Sequence, residues 1–423
     1  MKITAVHVTP IAISDPPLLN AAGVHEPYAL RSIIEIETDN GLIGLGETYG
    51  DKPVLDSLLR VKDLLVGLSP FDLNGLSQRV AAVVQPGALS AGAIELDLAP
   101  GSQLNKAALK AFGAFEVAFL DLQARSLGIP VHELLGGAVR REIPFSAYLF
   151  FKFDSNVDPS YRPDAWGPAL DPAQIVAQAR TMIERYGFGS IKLKAGALEP
   201  EFEVQCLKAL REAFPGLPLR IDPNANWTLD TAIRMAGLLQ GELEYYEDPT
   251  PGLEGMAELH KATGLPLATN MVVTTMDEFR RNLALNAVQI VLSDHHYWGG
   301  LRASQTLASM CDTFGIGLSM HSNSHLGISL MAMSHLAAAV PNLSYACDTH
   351  YPWQNEEVIK GGKIPIENGC VSVTDAPGLG IELDRDALAE LHERYLSCGI
   401  TQRDDHAQMV KFRPDWKRIK PRY

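Results

Sequence analysis

The sequence has no paired-cysteine motif. Its five cysteines, at 206, 311, 347, 370 and 398, are scattered and never form C-x-x-C. That excludes a disulfide framework and a thioredoxin-type pair, and it fits free thiols in a reducing cytoplasm. No run of about 18 apolar residues occurs, so no transmembrane helix is expected. The opening stretch MKITAVHVTPIAIS alternates as a strand does and lacks the unbroken apolar core of a secretory leader. Positive charge is scarce: 36 Lys and Arg against 50 Asp and Glu leave a net charge of −14. Neither nucleic acid nor an anionic membrane is therefore expected as a partner. A chain this acidic needs a local positive site, such as a metal, to bind an acidic substrate.

Two further patterns are missing. Glycines 44, 46 and 50 do not make G-x-G-x-x-G, and no helical pattern follows closely, which excludes a dinucleotide site. No H-x-H pair marks a zinc hydrolase barrel. His321 and His325 stand four apart, with no third soft ligand evident.

What is present is enough apolar residue, 46%, for a large core in a 423-residue chain. In RSIIEIETDNGLIGLGETYG two apolar runs flank Asp39-Asn40-Gly41, a hairpin signal. Residues 54–140 read mostly as helix. From about residue 143 short apolar runs alternate with helical segments: IPFSAYLF, SIKLK, LPLRID, ELEYYE, LPLATN, AVQIVLSD, GIGLSMH and NLSYACD. Eight such runs predict a (β/α)8-type, modified TIM barrel. The expected organisation is an α+β N-terminal capping domain over 1–140, the barrel over 141–385, and a segment over 386–423 that returns to the capping domain.

SIKLKAG places Lys192 and Lys194 on the same side of a strand. A solvated strand face is the plain reading. The chemical reading is a base whose pKa is lowered by a neighbouring cation. Lys194 is also the first of a series of polar residues ending successive strands: Lys194, Asp222, Glu247, Asn270, Asp294, His321 and Asp348, spaced 28, 25, 23, 24, 27 and 27 residues apart. Helix capping or core packing is the commoner explanation for any one of them. The set is different, because the C-terminal strand ends of a barrel converge on one mouth. Asp222, Glu247 and Asn270 are hard oxygen donors on adjacent strands and suit Mg²⁺. Lys194 lies to one side of them and His321 to the other, with Asp294 placed to orient the imidazole. Two bases flanking a metal suit removal of a proton α to a carboxylate. A Schiff-base aldolase using Lys194 is the alternative chemistry.

The segments LLNAAGVH, AYLFF, YGFGSIKLKAG, DPNANW, YEDP, LATNM, SDHHYW, MHSNSHLGISL, ACDTHYPWQ and QRDD, in this order, resemble the enolase superfamily. Within it they resemble the mandelate racemase-like acid-sugar dehydratases, the glucarate dehydratase group most closely. The resemblance implies a cytoplasmic, homo-oligomeric, Mg²⁺-dependent dehydratase of a D-glucarate-like aldarate. It implies Lys194 as one base with Lys192 lowering its pKa, His321 with Asp294 as the opposite base, and Asp222, Glu247 and Asn270 as metal ligands. It further implies substrate contacts from Asn20, His25, Tyr148, Phe150, Asn224, Asn323, His350 and Arg403, and from Ser102, which stands where the family carries a threonine. Arg403 would fork a remote carboxylate. Two stretches, the loop DPTPGLEGMAELHKATG after Glu247 and residues 151–172, look shorter than in the family, which leaves the substrate open. Another aldarate or an aldonate, galactarate-like or otherwise, epimerisation alone, or a catalytically silent relative remain the alternatives.

Overall fold

A computed structural model describes residues 1–84 and 106–423. Strands β1 (Ile3–Ser14), β2 (Tyr28–Thr38) and β3 (Ile43–Tyr49) form an antiparallel sheet, with the hairpin turn at Asp39-Asn40-Gly41. Helices α1 (Lys52–Lys62), α2 (Leu73–Val83) and α3 (Lys106–Leu127) cover it, and an apolar core lies between them. The glycines that make no nucleotide motif have a packing reason. A Cβ at Gly44 or Gly46 would run into the backbone oxygens of Ala118 and Ala114, so these glycines let α3 lie close on β3.

A short ribbon of β4 (Glu142–Pro144) and β12 (Cys370–Ser372) lies beside the barrel. The barrel strands are β5 (Ala147–Phe150), β6 (Ile191–Lys194), β7 (Leu219–Asp222), β8 (Tyr245–Glu247), β9 (Leu267–Thr269), β10 (Ile290–Ser293) and β11 (Gly317–Met320). They pair in parallel in chain order, each followed by a helical connection. Asp171 and Thr275 cap two of these helices, accepting backbone N–H groups of Gln174 and Glu278.

The eighth expected strand, NLSYACD, is not a regular one. It closes the ring by scattered bonds: Ser344 and Asp348 N–H donate to Leu318 and Met320 of β11, and Cys347 exchanges bonds with Pro144 and Ser146 beside β5. The reason is local. The Ala346 carbonyl accepts from the Arg220 guanidinium (2.8 Å) and the Ser319 hydroxyl (2.9 Å) instead of from a neighbouring strand. The stretch after Glu247 also differs from expectation: only a short turn precedes the helix Gly252–Thr263, so most of it is barrel wall and not loop.

The helix Gly327–Ala339 is buried on every side, between the barrel and the N-terminal unit. The helix Arg385–Ser397 lies on β1, where His392 Nδ1 is 2.7 Å from the Pro10 carbonyl. Among the described residues no helix is long and apolar enough to cross a membrane.

Candidate active site

The strand-end residues meet below an open cleft. Lys194, Asn224, Asn270, His321 and Asn323 line it from the barrel, joined by Tyr148, Phe150 and His350. Asn20 and His25 of the N-terminal unit and Arg403 close another side. Lys192, Asp222, Glu247 and Asp294 lie in the buried layer beneath. Ser102 lies outside the described residues.

Lys192 is fully buried. Its Nζ stands 2.6 Å from Glu247, 2.7 Å from Asp348 and 3.4 Å from Asp222. Burial disfavours its charge, but Asp348 and Glu247 outweigh burial and hold its pKa well above that of an ordinary lysine. The sequence did not show that the Lys192 amine is faced by three carboxylates. Lys194 Nζ bonds Asp222 Oδ2 at 2.6 Å and also Asn224 Oδ1. Burial pushes the Asp222 carboxyl up, while Lys194 and Lys192 overcome this and bring it to about 2. Glu247 is displaced the other way, well above the carboxylate range, by burial first and by the Asp222 charge second.

Among the buried side-chain atoms without a hydrogen-bond partner in the described residues are Glu247 Oε1 and Asn270 Oδ1. Orphaned buried oxygens are costly, and a cation would satisfy both. With Asp222 they form an all-oxygen donor set, so the residues fit a hard divalent ion. Asp248 aims this set: its carboxylate accepts from the Thr269 hydroxyl (2.5 Å) and the Asn270 N–H (2.9 Å). Its own backbone is turned to φ 38°, outside the usual region for a side chain of this kind.

His321 Nδ1 lies 3.1 Å from Asp294 Oδ2. Burial lowers the His321 pKa, and Asp294 recovers only part of that loss. The ring is thus neutral near pH 7, with Nε2 left as the basic nitrogen. Asp294, His295 and His296 also bring ligand atoms within 4.8 Å of one another. Asp294 is already taken by two imidazoles, so this cluster is not a metal centre.

The N-terminal loop residues are tied to the C-terminal segment. Asn20 Nδ2 donates to Asp405 Oδ2 at 2.7 Å, and its Oδ1 accepts from the Ala22 and Gly23 N–H groups. His25 Nδ1 is 3.0 Å from Asp15. Arg403 grips Asp405 through Nε (2.7 Å) and Nη2 (2.8 Å), while Nη1 lies 3.6 Å from Asp15. One forked edge of Arg403 is therefore used inside the protein. Tyr148, Phe150 and His350 form an aromatic group with centroids 4.7 to 5.0 Å apart. Asn323 donates at 2.8 Å to both Tyr49 and Tyr297 hydroxyls.

Sequence reasoning missed Arg31, Tyr49 and Tyr297, which also line the cleft. Arg31 and Tyr49 come from β2 and β3, where nothing in the local pattern signals a site. Tyr297 lies within SDHHYW, and Asp405 within QRDD, so the motifs were visible and the individual roles were not.

Residues 2–136 match the family described as mandelate racemase / muconate lactonizing enzyme, N-terminal domain, and residues 174–387 match enolase C-terminal domain-like. A probable glucarate dehydratase of Streptomyces coelicolor is 51% identical over 420 residues, 98% of this chain and 97% of that protein. A D-xylonate dehydratase of Haloferax volcanii is 26% identical, covering 84% of each. Among solved structures, an enolase from Pseudomonas fluorescens Pf0-1 with bound magnesium, potassium and tartrate shares 68% identity. Its TM-score is 0.96, over 100% of this chain and 99% of that one.

Proposed function

Since the chain belongs to the enolase superfamily, we propose that it dehydrates an acid sugar, a D-glucarate-like aldarate, to a keto-deoxy acid sugar. The observation that carries the reading is the pairing of Lys194 and His321 in one cleft, with the oxygen donors of β7, β8 and β9 between them in strand order. The magnesium and the hydroxy-diacid tartrate in the relative from P. fluorescens support it.

Asp222, Glu247 and Asn270 would hold Mg²⁺. Bound there, the ion supplies positive charge that favours the dianionic form of a carboxylate whose α carbon has lost its proton. The chain's own residues do the rest. Lys194 or His321, according to which face the proton occupies, takes the α proton. The electron pair left behind expels the β hydroxyl as the C–O bond breaks. Where His321 has taken the α proton it gives that proton to the departing hydroxyl, so that water leaves; where Lys194 has taken it the hydroxyl leaves as hydroxide, and in both cases the enol then ketonises. Asp294 fixes the His321 ring and balances the charge it gains. Tyr148, Phe150 and His350 exclude water from one wall.

A second reading, an aldonate dehydratase, draws on the Arg403 edge already given to Asp405 and on the D-xylonate dehydratase relative. Assaying the Mg²⁺-loaded protein against a panel of aldarates and aldonates separates the two. In the same assay Glu247→Gln should weaken Mg²⁺ binding and abolish turnover with the fold retained. Undiminished activity in that variant, or in excess chelator, would remove the metal from the mechanism.

A further inference from the structure

Asp294 carries two imidazoles. His321 Nδ1 faces Oδ2 at 3.1 Å, and His296 Nδ1 faces Oδ1 at 2.8 Å. The His296 backbone N–H donates to that same Oδ1 at 2.9 Å. The far nitrogen of His296, Nε2, lies 3.4 Å from Arg31 Nη2 and 3.1 Å from the Ser329 hydroxyl. A guanidinium only donates, so Nε2 accepts. The single proton of a neutral His296 then sits on Nδ1 and points at Asp294. Arg31 is in turn fixed by Glu47 at 2.8 Å, and Glu47 accepts the N–H groups of Leu326 and Ser329 at 2.9 and 2.8 Å. A continuous polar line thus runs from β2 and β3 of the N-terminal unit to the carboxylate that serves His321.

We infer that His296 is a positioning residue for the His321 base: its Nδ1–H holds Oδ1 of Asp294 and leaves Oδ2 alone to orient and charge-balance the His321 ring. This rests on the reading of His321 as a base. The physical consequence follows from sharing. Two donors on Oδ1 draw negative charge away from Oδ2, so His321 is less basic than it would be beside an undivided carboxylate. The groups facing His296 are Asp294 and His295 on its own segment, Arg31 and Tyr49 from β2 and β3, and His325 from the segment after β11, with Glu47 and His321 one contact further on, against Arg31 and Asp294. Lys110 of α3 lies beyond, over the Tyr49 ring.

Two variants distinguish this role from packing. The amide nitrogen of Asn can take the place of Nδ1 and still donate, so His296→Asn should behave nearly as wild type. His296→Phe keeps a ring beside Tyr49 and has no donor. The measurement is the pH profile of α-proton exchange into D₂O by the Mg²⁺-loaded enzyme, with D-glucarate and its C5 epimer. His321→Asn and Lys194→Arg identify which epimer reports on which base. In His296→Phe the acid limb of His321-dependent exchange should rise by about one pH unit, the worth of one charge-assisted hydrogen bond, slowing exchange roughly tenfold below the limb. Lys194-dependent exchange should stay within about twofold. An unmoved limb, or equal slowing on both faces in both His296 variants, overturns the inference. If His321→Asn leaves the exchange of both epimers untouched, the functional reading falls, and this inference with it. A check that needs no variant is the tautomer in folded protein with ¹⁵N-labelled histidine. The expected state is His296 protonated on Nδ1 and bare on Nε2, and the reverse overturns the inference.

Discussion

Replacing Lys192 by Met tests the charge arrangement below the cleft. Each carboxylate there has a different fallback when Lys192 is removed. Asp222 keeps Lys194 at 2.6 Å, and Asp348 keeps Arg220 at 3.6 Å. Glu247 loses its one cation within 4.0 Å among the described residues, the Lys192 contact at 2.6 Å. Glu247, its carboxyl already displaced upward, can take a proton in answer, so the loss is bounded by that of one buried ion pair broken from one side, about 3–5 kcal/mol. For 423 residues unfolding together, an unfolding entropy of about 2.1 cal/mol/K per residue gives roughly 0.9 kcal/mol per degree. The metal-free variant should then melt up to about 3–6 °C below the wild type. Mg²⁺ at about 100 times its Kd should stabilise the wild type by about 2.7 kcal/mol, near 3 °C. In Lys192→Met the same ion no longer competes with an ammonium for Glu247, so the Mg²⁺-induced shift should be larger, while turnover falls. Thermal unfolding with EDTA and with Mg²⁺ reads both numbers. A metal-free Tm equal to the wild type's, or a Mg²⁺ shift no larger than the wild type's, would refute the reasoning.

Three other outcomes are expected. His321→Asn should abolish turnover of one C5 epimer and leave α-proton exchange of the other, with Lys194→Arg showing the converse; loss of all exchange in both variants, with substrate still bound, would end the two-base picture. Arg403→Ala should cut kcat/KM for a diacid far more than for a monoacid, and it should also lower Tm because the buried Asp405 loses its guanidinium; equal kinetic losses for both acids would make Arg403 structural. His335, whose Nδ1 lies 3.0 Å from that of His132, is held by burial at a pKa of about 4 against 6.5. Folding keeps it neutral, so its contribution is present above pH 6.5 and is lost as pH falls towards 4, about 3 kcal/mol in all. Urea unfolding at pH 7 and pH 4.5 should show this slope in wild type and a flatter one in His335→Gln; identical slopes would contradict it.

The strand-end residues were legible because a barrel repeats: each β/α unit returns the chain to the same rim, so Asp222, Glu247 and Asn270 announce themselves by spacing alone. The irregular eighth strand was not, since an apolar run cannot reveal that Ala346 gives its carbonyl to Arg220. Arg31 and Tyr49 were illegible for a related reason. They alternate with core residues on ordinary strands, and only the docking of the N-terminal sheet on the barrel turns them towards the cleft. His296 stood in view beside Asp294, yet its meaning depends on which nitrogen faces Arg31, a fact that lies 265 residues away in the chain. The fork of Arg403 looked available for substrate because sequence could not show that Asp405, two residues on, already occupies one edge.

The bond between Asn20 and Asp405 joins residues 385 positions apart. At the usual pace of translation, about 5–20 residues per second, roughly 20–80 s pass between the appearance of the first and of the second. Every strand of the barrel, and every residue assigned to acid–base work or to the metal, leaves the ribosome before Asp405. The nascent chain thus holds a complete set of reactive groups while one wall of its cleft is still unmade. In that interval the loop around Asn20 and His25 lacks its partner: Leu19 can already pair with Phe151, while the N–H of Val24 still waits for the Asp405 carbonyl.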